Sequence, residues 1–167
     1  MRDIGQHSLL ARRRRRGAVV LELLIALPLL VIGTMAAVEM GLWMTGRERV
    51  EMAARLGAEQ AATWTDFAEV QRKVKESLAA ANVPTSDVQI LLIHNVGDPS
   101  GGFARETNAE DAPWGEFAVP PALASEYVRV VVRVPSDALA PNLLKSFGFD
   151  LSQQWTVRAK TFRFEGS

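Results

Sequence analysis

The chain has 167 residues, 48% hydrophobic and 23% charged, enough for one membrane anchor and one small domain. It contains no cysteine, which excludes disulfides and thiolate metal sites, so any folded part is held by packing, alone or with partners. The formal net charge of zero is split: residues 1–16 carry six arginines against one aspartate, a net of +5, and the remainder is −5, an acidic balance that argues against nucleic acid as a partner.

In chain order, residues 1–17 form a basic leader, of which 1–16 read as polar and disordered. The leader ends in the run Arg12, Arg13, Arg14, Arg15 and Arg16. Residues 18–45 read as a transmembrane helix. Between Gly17 and Gly46 the ionisable side chains are Glu22 and Glu39 alone. That stretch exceeds the roughly 20 residues needed to cross the hydrocarbon core, whereas a signal-peptide core is shorter, roughly 7–15 apolar residues. A soluble helix this apolar would need a large protein around it. Positive charge flanking a span stays cytoplasmic. Beyond the span Arg47 and Arg49 are interleaved with Glu48 and Glu51, so the arginine excess is N-terminal. The expectation is a single-pass protein with its N-terminus cytoplasmic and residues 46–167 outside the cytoplasm. Twin-arginine export is the weaker rival, because its signal needs more than consecutive arginines.

Within the span, Pro28 removes one backbone hydrogen bond, so a local kink is expected. Gly33, Ala37 and Gly41 recur every fourth residue and place small side chains on one face. Either that face lets another helix approach closely, or the spacing is chance. Glu39 is expected at the outer membrane interface, with a contact to another helix as the second reading.

The helix is expected to continue past the membrane. Pairs Glu51–Arg55 and Arg55–Glu59 have the i, i+4 spacing. Val50, Ala53, Ala54, Gly57, Ala61 and Trp64 form a small-residue apolar stripe. A second helix is predicted over residues 66–81, with Phe67, Val70, Val74, Leu78 and Ala81 on one face and Asn82-Val83-Pro84 ending it. Residues 88–93 read as a short buried strand, and 95–121, rich in Gly, Pro, Asp and Asn, as a long loop. Residues 127–134 alternate, with Val128, Val130, Val132 and Val134 on one face and Arg129 and Arg133 on the other, and Pro135 ends this strand. A helical turn is expected within 139–147. Residues 155–164 read as a last strand whose apolar phase slips near Lys160, the mark of a bulge or an edge position. The fold class is α+β: a long N-terminal transmembrane helix continuing into a small, pilin-like outer domain with a second helix and about three antiparallel strands.

The chemistry-bearing segment is Gly17-Ala18-Val19-Val20-Leu21-Glu22, directly after the arginines. A carboxylate inside a span costs roughly 2.5–3.5 kcal/mol at the centre and less near an end. Glu22 therefore either has a partner or reaches headgroup-level water. A cut after Gly17 would make Glu22 the fifth residue of the mature chain. This pattern resembles the class III signal of type IV pilins: basic leader, Gly at the cut, Glu at the fifth mature position, apolar helix. Within that group it is most similar to the TadE/TadG-like proteins of the Flp (tight adherence) pilus system. The matching residues are Arg16-Gly17, Val20-Leu21-Glu22-Leu23, Leu27-Pro28-Leu29, Val38-Glu39-Met40-Gly41 and Ala53-Ala54-Arg55-Leu56-Gly57-Ala58. Leu21 stands where Val or Ala is usual, and Leu23 where Phe is common.

The resemblance implies a TadE-like minor pseudopilin or pilus-assembly protein of a bacterial inner membrane, serving a Flp-type pilus in adhesion or a related secretion system. It implies processing between Gly17 and Ala18 by a prepilin peptidase, a membrane aspartic protease acting in trans. Its partners would be the membrane, that peptidase, and other pilin or pseudopilin subunits and assembly proteins. Cleavage would remove the arginines and create an α-amine at Ala18. That amine, on this subunit or a neighbour, could pair with Glu22 in low dielectric.

Enzyme readings find little support. The histidines are His7 and His94, without a second histidine at metal spacing. Asp98, Glu110 and Asp111 are scattered in the predicted loop and fit no calcium cage. Neither a nucleophile elbow nor a phosphate or dinucleotide loop is present. Trp114, Phe117 and Trp155 read as core or loop anchors. The expectation is a structural protein without catalytic residues, metal, cofactor, small-molecule substrate or nucleic acid. The alternative is an uncleaved single-pass protein whose outer domain is a partner-binding module, which would keep the arginines and tolerate Glu22→Ala.

Overall fold

The computed structural model describes residues 4–63, 66–96, 104–113 and 126–164, with side chains from residue 19 onward. It is α+β, with a long apolar N-terminal helix, a second helix and an antiparallel sheet. The chain divides into two compact units, Met1–Val38 and Glu39–Ser167.

Helix α1 runs Ile4–Ala61 without interruption, Pro28 included. Its start at Ile4 overturns the expectation of a disordered leader. Leucine, alanine and arginine dominate residues 9–16, and all are strong helix formers. In the first unit the helix stands by itself. Val19–Ala61 contains a stretch long and apolar enough to cross a membrane, none of it buried in the protein. One such helix near the N-terminus fits a single-pass membrane protein.

The second unit contains the rest of α1, helix α2 (Phe67–Ala80), and strands β1 (Gln89–His94), β2 (Ala104–Thr107), β3 (Tyr127–Pro135) and β4 (Trp155–Arg163). Helix α2 buries Val70, Val74 and Leu78, the predicted face. It stops where Asn82 turns left-handed at φ 57°, a conformation asparagine tolerates. Arg72 links Glu69 and Glu76 along its exposed side.

The strands form one antiparallel sheet in the order β2-β1-β3-β4, four where about three were expected. The addition is β2, inside the stretch predicted to be loop. Its four residues have no apolar alternation and are largely exposed, so pairing holds them in place. Leu91 faces Thr107 and His94 faces Ala104. Asn108 extends the pairing: its side chain accepts from the Ile90 N–H at 2.6 Å and donates to the Val88 carbonyl at 2.9 Å. The remainder of the predicted loop, Asp98, Trp114 and Phe117 included, lies outside the described residues, as does Trp64.

The β3–β4 register is continuous from Tyr127↔Arg163 to Pro135↔Trp155, so β4 is an edge strand without a bulge. The apolar phase slips near Lys160 because Arg158 and Lys160 meet Glu51 of α1, at 3.8 and 2.5 Å. Glu51 thus turns to the sheet, not to Arg55. Arg55 pairs with Glu59 at 2.8 Å, as the spacing predicted.

The core lies between α1, α2 and the even-numbered face of β3. Val50, Ala53, Ala54 and Ala58 meet Val70, Val74 and Leu78 from α2, Ile90 and Leu92 from β1, and Val128, Val130, Val132 and Val134 from β3. Gly57 permits this approach: a Cβ there would lie 2.6 Å from Val74 Cγ2 and 3.3 Å from Val130 Cγ1. A second cluster of Leu91, Ile93 and Val131 occupies the other face of the sheet, with Ala109, Ala112, Val157 and Ala159 against it.

Candidate functional site

Arg12 to Arg16, Gly17 and Ala18 have helical backbone. From Val19 to Leu30 every side chain is exposed, Glu22 and Pro28 among them. A carboxylate at the head of a bare apolar helix is available to an external partner or to water. Gly33, Ala37 and Gly41 are exposed as well, and a Cβ at Gly33 or Gly41 would meet nothing within 4 Å. Among the described residues no packing requires these glycines.

Two threonines, which pattern reading passed over, fit this stretch to an apolar solvent. Thr34 Oγ1 donates to the Val31 carbonyl at 2.8 Å, and Thr45 Oγ1 to the Gly41 carbonyl at 3.0 Å. Each hydroxyl is thereby satisfied within its own helix, where no water need reach it. The signal available in the sequence was their place in the apolar run, where a helix carbonyl three or four residues earlier can accept a second hydrogen bond.

Glu39 has a partner that neither sequence reading named. It is 5% exposed, and its Oε2 accepts a hydrogen bond from the backbone N–H of Leu144 at 3.0 Å, across 105 residues of sequence. The contact is therefore with the β3–β4 connection, residues 136–154, and not with another helix of the chain. That connection begins with a 3-10 turn at Ser136–Ala138 and contains a second at Lys145–Phe147, matching the expected helical turn in part. Leu139 closes onto Gly46, where a Cβ would lie 2.7 Å from Leu139 Cβ. Nearby, the Arg47 guanidinium stacks 4.6 Å from the Trp43 ring centroid.

The connection is also closed on itself. Asn142 Nδ2 donates to Asp150 Oδ1 at 2.6 Å, and the Ser152 N–H and hydroxyl donate to the same oxygen at 2.9 and 2.7 Å. These donors, with Lys145 at 3.6 Å, hold the Asp150 carboxyl well below the usual carboxylate range. Gly148 sits at φ 91° and closes the second turn.

At the other end of the sheet, a cavity of about 260 Å³ is lined by Phe67, Leu92, His94, Glu106 and Phe164, among others. His94 Nε2 lies 3.8 Å from Glu106 Oε1. Among the described residues no group of three His, Asp or Glu side chains converges, and Glu110 and Asp111 are exposed on a turn. Trp155, a proposed anchor, is 39% exposed and carries the Arg133 guanidinium 4.5 Å above its ring.

No curated protein and no solved structure matches the chain. A family model does, over the apolar helix and its continuation into the second unit. Residues 17–59 match the model described as TadE-like protein, so this segment of the chain is similar to that of TadE-like proteins.

Proposed function

We propose that this protein is a structural component of a Flp-type (tight adherence) pilus or related secretion machine, a minor pseudopilin or assembly subunit without catalysis of its own. The observation that carries the reading is the family match over residues 17–59, which covers the glycine junction, Glu22 and the bare apolar helix in one segment. The helix is a single span of the bacterial inner membrane, with the arginines cytoplasmic and residues 46–167 on the far side. A prepilin peptidase cuts between Gly17 and Ala18. Glu22 then offers its carboxylate to the new α-amine of this subunit or a neighbour, which offsets the cost of burying it. The open Gly33-Ala37-Gly41 face takes a neighbouring helix.

The test is N-terminal mass spectrometry of membrane-purified protein from cells with and without the peptidase. The expected mature chain begins at Ala18, and only where the peptidase is present. An intact N-terminus beside a working peptidase would sink processing and leave an uncleaved anchor with a partner-binding outer unit. Glu22→Ala then separates the roles further: it should leave membrane insertion intact and reduce cross-linking to neighbouring subunits.

A further inference from the structure

Among the described residues beyond Met52, the large apolar side chains left exposed are Phe147, Phe149 and Trp155, at 52, 68 and 39%. All three lie in or directly after the β3–β4 connection. Trp155 is covered on one side by Arg133, but Phe147 and Phe149 project from the second 3-10 turn and the residues after it with no such cover. The fold ties this turn to one place. The Leu144 N–H is bonded to Glu39, and Leu139 is seated on Gly46. Glu39 to Gly46 are the last two turns of the apolar run, so the connection lies beside the helix where it leaves the hydrocarbon. Lys145, 61% exposed, stands in the same turn as the two phenylalanines.

We propose that residues 144–149 dip into the bilayer surface, with Phe147 and Phe149 among the acyl chains and Lys145 at the phosphates of the headgroups. Aromatic rings and lysines favour this boundary for complementary reasons: the ring is removed from water, and the ammonium stays with anionic headgroups. The Glu39 bond then acts as a depth stop. It fixes the turn to a set level of the helix and gives the outer unit a second point of attachment to the membrane beside the span. The occupant is lipid, because the surface is continuous with a helix that lipid already surrounds. The inference rests on the span reading under the proposed function.

The chain has no cysteine, so single labels are clean. Full-length protein carrying Ser146→Cys, Leu27→Cys or Lys73→Cys, each labelled with a fluorophore, is reconstituted in vesicles of phosphatidylethanolamine and phosphatidylglycerol. Quenching is read with aqueous iodide and with lipids bearing a nitroxide just below the headgroup or deep in the acyl chain. The label at position 146 should be quenched by the shallow nitroxide lipid several-fold more than the label at 73, and less by iodide. Adding Phe147→Ser with Phe149→Ser should return it to the behaviour of position 73. If position 146 behaves like 73 while 27 responds to the deep nitroxide, the span stands and the proposal fails. If position 146 is shielded from iodide but not quenched by any lipid, a protein covers the turn and the proposal fails. If position 27 too is quenched by iodide alone, the span reading fails and takes the proposal with it.

Discussion

Helix α1 contains two apolar regions with opposite fates. In residues 19–30 the side chains are large, and they are exposed: Leu24, Leu29 and Leu30 at 66, 66 and 67%. In residues 50–61 they are small, and they are buried: Val50, Ala53, Ala54 and Ala58 at 0%. Apolarity is common to both, and side-chain size separates them. A helix surrounded by lipid gains from long branched side chains, whose apolar area is large. A helix that must lie against a sheet and a second helix needs alanine and glycine, so that backbones can approach and valines from β3 can fill the space. Glycine shows the difference most sharply, because Gly57 is filled around and Gly33 and Gly41 are open.

The largest effect that tests this contrast comes from adding the same side chain in both regions. Gly57→Val would drive a methyl-bearing carbon into Val74 and Val130 and should destabilise the outer unit by about 3 kcal/mol, the upper end for overpacking, if it folds at all. Gly33→Val meets none of the described residues and should leave thermal unfolding of the outer unit unchanged. Its effect should appear only in cross-linking between subunits. Circular dichroism melts of the two variants in detergent check the first half. Equal melts would show that the close approach at Gly57 is not what the helix region requires.

Much of this organisation was legible in the sequence, and the part that was not shares a cause. Helix α2 and strand β3 each have a periodic pattern that a local window contains, and each formed where the pattern placed it, while the long apolar run is helical throughout. Strand β2 has no pattern of its own, because an exposed edge strand of four residues is defined by its partner β1. The direction of Glu51 was missed for the same reason: its partners Lys160 and Arg158 are distant in sequence, whereas Arg55, the local candidate, went to Glu59. The leader was misread differently. Its charge marks topology, whereas its backbone follows the helix propensity of leucine, alanine and arginine. Glu22 was identified as a carboxylate within the apolar run and by resemblance, Pro28 by its missing backbone donor and Gly33 by the four-residue spacing of small residues, and all three side-chain positions are exposed. Glu39 was noticed as the second carboxylate of the span, but its partner 105 residues away carries no side-chain signal, because the donor is a backbone N–H.

A smaller effect is expected where the two regions of α1 adjoin. Glu39→Ala leaves the half-buried Leu144 N–H without its acceptor, a loss of about 1 kcal/mol. Since the bond anchors a surface connection, the loss should be local. The Leu144 amide should exchange with solvent markedly faster while the sheet amides of β1 and β3 keep their protection. Glu39→Gln retains a carbonyl oxygen and should fall between. Hydrogen exchange read at single residues distinguishes these outcomes. Unchanged exchange at Leu144 in both variants would show that the connection is held by Leu139 on Gly46 and not by the carboxylate.

The smallest effect concerns the polar seam between the buried region of α1 and the sheet edge, and it is visible only through pH. The hydrogen bond from Lys160 holds the Glu51 carboxyl below its ordinary value, and the positive charges of Lys160, Arg158 and Arg47 act in the same direction. A carboxyl depressed in the folded state contributes stability above its unfolded value, about 4.3, and that contribution is lost as pH falls through the folded value. Asp150, depressed by its Ser152 and Asn142 donors, has the same sign. The chain should therefore lose stability on acidification from about pH 5 downward. Lys160→Met removes the largest cause acting on Glu51 and should flatten that acid limb, with a loss at neutral pH too small to shift the melt by more than a few degrees, since exposed pairs contribute little. Lys75→Met, which removes a lysine that plays no part in the Glu51 shift, serves as the control for net charge. If both lysine variants show the same acid limb, total charge and not the Glu51 seam governs the response. The buried stripe of α1 would then hold the sheet by apolar packing alone.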